Sequence, residues 1–174
     1  DMNFIKKQGA GAWISIVTVI VAIVALIIYG AALSAGMGLE IASGSQPFYE
    51  ASRPEDSVML STVVTCGVIA LVALAVAVVL GQFKSEGIVG KVCVIVSGAL
   101  RIVAPALLII ALLNFVYGSF TGLGWTFFSN EELAIYPEAI AVGRQVIVGL
   151  VFFAVAAVAS IVAAFFGVVK KEEY

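Results

Sequence analysis

Arg101 stands in the run GALRIVAPALLIIALLN, residues 98 to 114, four positions before Pro105. A guanidinium is always charged and offers its donors in a planar fork. The chemistry it brings is the holding of a phosphate, a carboxylate or another anion. Pro105 lacks the N–H that would bond the carbonyl of residue 101, so it leaves that carbonyl as a local acceptor and predicts a bend. The other polar groups at similar depth are hydroxyls: Ser97 one turn below, Ser160 and Thr18.

Little else in the chain could react. Histidine is absent, which removes the commonest general acid-base and the commonest metal ligand. Cys66 and Cys93 both lie in apolar runs and read as small buried side chains. They fall at opposite depths, too far apart for a disulfide. There is no G-x-S-x-G, no Walker loop, no Cys/His metal set and no haem-binding motif. The expectation is a non-enzyme with no catalytic residue, no metal and no cofactor. A net charge of -2 gives no basic bias toward nucleic acid.

What surrounds Arg101 is decided by composition. The 174 residues are 63% hydrophobic and 11% charged, with a mean hydropathy of +1.18. A small soluble fold keeps too much surface to hide that many apolar side chains. Four runs are long enough to cross hydrocarbon as helices: about 12–33, 58–80, 92–116 and 146–169. Valine and isoleucine abound in the first two, but an open backbone has no partner in lipid, so helices are expected. The first run is too long for a signal-peptide core and ends in no A-x-A-like site. Met2, behind Asp1, reads as the native start.

Lysines orient the spans. Lys6 and Lys7 precede the first, Lys84 and Lys91 lie between the second and third, and Lys170 and Lys171 follow the fourth. All six fall on one side, the cytoplasmic side by the positive-inside rule. The other side carries Arg53 and Arg144 against Glu40, Glu50, Glu55, Asp56, Glu131, Glu132 and Glu138. The fold expected is an all-α integral membrane protein: one membrane domain over 1–174, four helices as two tandem hairpins, and both termini cytoplasmic. The membrane expected is the plasma membrane of a bacterium.

Two outer loops remain, about 34–57 and 117–145. The second is dense in aromatics, with Phe120, Trp125, Phe127, Phe128 and Tyr136. They read as an interfacial belt or, with Glu131 and Glu132, as a docking patch. Ser129 or Asn130 would cap a short helix there.

The hairpins repeat. Tyr29-Gly30 matches Tyr117-Gly118, each followed by a G-x-G at Gly36/Gly38 and Gly122/Gly124. Ala73, Ala77 and Gly81 recur every fourth residue, as do Ala159, Ala163 and Gly167. Small residues at this spacing let helices approach closely in lipid. They predict packing stripes, within one bundle or between chains.

Counted from Lys91, Arg101 sits about 15 Å into its span, where an unpaired charge is expensive. No acidic residue lies in any span. Arg101 therefore either leans toward the cytoplasm and is capped by carbonyls and hydroxyls, or meets an anion from outside the chain. That anion is a lipid phosphate, a substrate, or a carboxylate on another membrane subunit. The function read from these features is a structural or accessory subunit of a membrane complex, or a homo-oligomer. Its partners are other membrane subunits, copies of itself and lipids. A small transporter or channel for an anionic solute is the alternative.

Overall fold

The computed structural model describes residues 8–42, 46–49, 54–83, 87–128 and 137–169. It contains four long helices: α1 (Ala10–Gly36), α2 (Pro54–Leu80), α3 (Gly87–Phe128) and α4 (Pro137–Phe165). A short antiparallel ribbon, β1 (Glu40–Ala42) with β2 (Gln46–Pro47), joins α1 to α2. All four helices are long and apolar enough to cross a membrane.

Local chemistry explains the ends. Pro54 and Pro137 open α2 and α4, where a missing N–H costs nothing. Gly38, after α1, and Gly87, at the start of α3, have φ of 72° and 76°, a region where a side chain would clash.

The helices form a ring. α1 packs between α2 and α4, and α3 packs between the same two on the far side. Neighbours run antiparallel. Gly9 N–H donates to the Val168 carbonyl at 2.6 Å, while Gly36 at the other end of α1 abuts Val142. The first and last described residues thus meet at one end of the bundle, where Gln8 and Gln82 exchange amide hydrogen bonds of 3.0 and 2.9 Å.

The interior follows a 3.5-residue period. On α1 the buried positions include Gly11, Ser15, Thr18, Ala22, Ala25, Tyr29, Ala32 and Gly36, in steps alternating between four and three, with Ala12 buried beside Gly11. On α4 they include Val142, Val146, Gly149, Phe153, Ala156, Ser160 and Ala163, with the same alternation. That period keeps one seam facing its neighbours along the whole helix, as in left-handed coiled coils. A strict every-fourth stripe drifts around the helix by about 40° per step. This corrects the stripes expected from sequence. Ala73, Ala77 and Ala163 are buried, but Ala159 is only half-buried and Gly167 lies exposed beyond α4. Gly81, just past α2, faces Val168.

Aromatic rings fill what the small residues leave. Tyr29 and Phe115 meet edge to face at 4.7 Å, and Phe115 and Phe153 at 5.9 Å. The Tyr29 hydroxyl donates to the Leu60 carbonyl at 2.7 Å, which satisfies its polar tip inside the core.

The helix boundaries differ most at the end where α3 stops and α4 begins. α3 does not stop near residue 116 but continues to Phe128, 42 residues in all, or about 63 Å. α4 begins at Pro137 rather than near 146. Phe120, Trp125, Phe127 and Phe128 therefore lie on a helix, not in a loop. Ser129, Asn130, Glu131, Glu132 and Tyr136 lie outside the described residues. The cause of the longer helix is tertiary. Phe48 and Tyr49, at 1% and 2% exposure, fold back from the first outer connection onto the top of the bundle. The Phe48 ring lies against Gly122 and the Tyr49 ring against Gly36. Tyr49 and Ser119 share a hydroxyl hydrogen bond at 3.1 Å. The glycines that read as loop punctuation are notches for this pair of rings.

Candidate functional site: the Arg101 clasp and the outer face of α3

Arg101 occupies a seam position on α3, four residues after buried Ser97 and three before buried Ala104. Its side chain leans toward the start of α3, as helical side chains do. Its Nη2 donates to the carbonyls of Ala163 and Phe166 at the end of α4. The last carbonyls of a helix have no partner within it, and the negative end of the helix dipole favours a cation there. α4 has no basic residue in its own last turn, and α3 supplies one.

Gly11 completes the seat. A Cβ added at Gly11 would stand 2.8 Å from Arg101 Nη2, so only glycine leaves room. Just beyond, Gly11 N–H donates to the Gly167 carbonyl at 3.1 Å. One guanidinium thus ties α3 to the end of α4 against the first turn of α1.

This geometry revises the depth of the charge. Reckoned along α3 from Lys91, Arg101 is deep in its span. Its head, however, touches the second residue of α1 and the first residue past α4. α3 overshoots its neighbours at this end. Ser97 Oγ donates to the Ala77 carbonyl at 2.7 Å, three residues before α2 ends at Leu80. The first two turns of α3, with Ile88 and Val89 exposed, run past that level. The guanidinium lies near the rim of the bundle.

Two of the three hydroxyls expected beside Arg101 are engaged elsewhere. Ser97 bonds across to α2, and Thr18 Oγ1 donates to the Ile14 carbonyl at 2.8 Å, a back-bond to its own helix. Among the described residues, Ser160 Oγ, Thr126 Oγ1 and Arg101 Nε are buried without a hydrogen-bond partner. Pro105 is buried inside α3, which is assigned as one helix through it. The cysteines are free and half-buried.

The aromatics divide by face. Phe127 packs inward against Gly143 of α4. Trp125 and Phe128 point outward. With Phe120, Thr121 and Gly124 they line a groove of about 500 Å³. The same side of α3 carries Asn114, a polar residue to which the sequence reading gave no role. Its Nδ2 donates to the Ile110 carbonyl at 2.8 Å. Among the described residues its Oδ1 has no partner. An amide in a 25-residue apolar run was the signal that marked it.

No family model matches the chain, and no curated protein or solved structure matches it. The fold itself defines a class. Four apolar helices pack on small residues and turn rows of valine, isoleucine and phenylalanine outward. Water-soluble monomers do not expose apolar surface on that scale, and hydrocarbon is the solvent that suits it. This is a membrane protein.

Proposed function

We propose that this protein is a non-enzymatic structural or accessory component of a membrane assembly, formed with other membrane subunits or with copies of itself. The observation that carries this reading is the outward side of α3, where Asn114 and Thr121 lie among lipid-facing residues. Asn114 is half-buried and its Nδ2 is spent on the Ile110 carbonyl, and its carbonyl oxygen is stabilised when another helix covers it, because hydrocarbon offers no hydrogen bonds.

Two tandem hairpins with both ends in the cytoplasm complete the proposal. Lysines flank the helices at the end where the chain's first and last described residues meet, which supports this direction under the positive-inside rule. Gly36 and Gly122, each the first glycine of its G-x-G, each receive one ring of the Phe48–Tyr49 pair, which supports the repeat. The bacterial plasma membrane remains the proposed location. Arg101 serves as the inner clasp. Its donors beyond Nη2 would face an anion brought by a lipid or a partner subunit.

The test is apparent size in mild detergent. The expected result is a complex larger than the 18.1 kDa chain, reduced when Asn114 is replaced by Leu. A single chain at every detergent concentration, unchanged by Asn114→Leu, would sink the reading.

A further inference from the structure

We infer that the lipid-facing side of α3 docks a second copy of this chain, with the two α3 helices parallel and Asn114 opposite Asn114. The inference rests on the assembly reading above and names its partner.

Ile110, Asn114, Tyr117, Thr121, Gly124 and Phe128 follow one another in steps of four and three. The spacing is that of the buried seam, but the stripe lies on a side of α3 left open. Tyr117 is 70% exposed and Phe128 85%. The packing code that holds the bundle together is written a second time, outward.

Three features select a second copy. Copies inserted in the same direction have parallel α3 helices, related by a twofold axis along the membrane normal. Parallel helices in register set each stripe residue against its own counterpart. A carboxamide carries both donor and acceptor, so it pairs with itself, which an ammonium or a carboxylate cannot do. A twofold interface also needs its knob and its hole on one patch. Here Tyr117 and Phe128 protrude, and Thr121 and Gly124 form part of the groove. A Cβ built on Gly124 meets nothing within 4 Å, so the space beside it is open to a ring.

The experiment is oxidative cross-linking in membranes. Cys66 and Cys93 are first replaced by Ala, and single cysteines are then placed at Ile110, Thr121 or, as a control on the open face of α4, Val148. The expected result is a disulfide-linked dimer from positions 110 and 121 and none from 148. In the Thr121→Cys chain, adding Asn114→Leu should lower dimer yield about fivefold. Equal yield at all three positions, or none at 110 and 121, overturns the inference. A photo-cross-linker at position 110 that captures a different membrane protein and no second copy overturns self-pairing while the assembly reading stands. Capture of neither overturns both.

Discussion

The guanidinium of Arg101 on α3 and the carbonyl of Ala163 on α4 are hydrogen-bonded at the end of the bundle where Gly9 meets Val168. A charge that looked unpaired along its own helix is held by backbone from a helix more than sixty residues away. The partner is a helix end, and that makes the contact sensitive to anything that moves α4 lengthwise.

Replacing Arg101 with Leu removes the donor from both carbonyls. Hydrogen bonds to charged groups are worth about 1.5–3 kcal/mol, and partial exposure favours the lower end. The expected outcome is a lower Tm in mild detergent, with Arg101→Lys keeping part of the loss. Equal stability of wild type and Arg101→Leu would deny the clasp any structural role.

Gly11→Ala should injure the same contact from the opposite side, because the new methyl presses on the Phe166 carbonyl that Arg101 holds as well as on Nη2. Combined with Arg101→Leu, the two losses should be clearly less than additive. Strict additivity, measured by thermal unfolding of all four chains, would mean that the two residues act independently.

Gly149→Ala and Gly98→Ala form a matched pair. A Cβ at Gly149 would stand 2.9 Å from the Phe115 ring and 3.2 Å from Ile28, whereas one at Gly98 meets nothing within 4 Å. The first should destabilise by about 1–3 kcal/mol through overpacking. The second should be neutral or slightly stabilising, since alanine costs less backbone entropy in a helix. Similar effects at both sites would contradict the seam.

The cap formed by Phe48 and Tyr49 should loosen in alkali. Burial pushes the Tyr49 phenol from 10 up to about 12, partly offset by its hydrogen bond to Ser119. A raised folded-state pKa means that the contribution of the neutral phenol is fully present below pH 10 and fades as pH rises through about 12. The phenolate absorbance difference between wild type and Tyr49→Phe should therefore appear near pH 12. Its appearance near pH 10 would show that Tyr49 is open to water.

The helices themselves were plain in the sequence, because about twenty apolar residues in lipid leave the backbone one choice. The stretch from Tyr117 to Gly124 was misread as a loop. Its glycines and hydroxyls are poor helix formers in isolation, and distant segments hold them in a helix: Phe48 lies against Gly122, Leu60 against Gly118, and Tyr49 bonds Ser119. Arg101 was visible as an oddity, but its partners were not. Backbone carbonyls leave no mark on residue type, and depth counted along one helix ignores where the neighbouring helices end.

The close pairing of Gly9 with Val168 bears on biogenesis. α1 leaves the ribosome first, yet the helix against which its seam closes is made last. Until then Arg101 waits without the carbonyls of Ala163 and Phe166. Closure of this end therefore waits until α4 has been made. A nascent chain halted before α4 would present its arginine to whatever insertion machinery holds it.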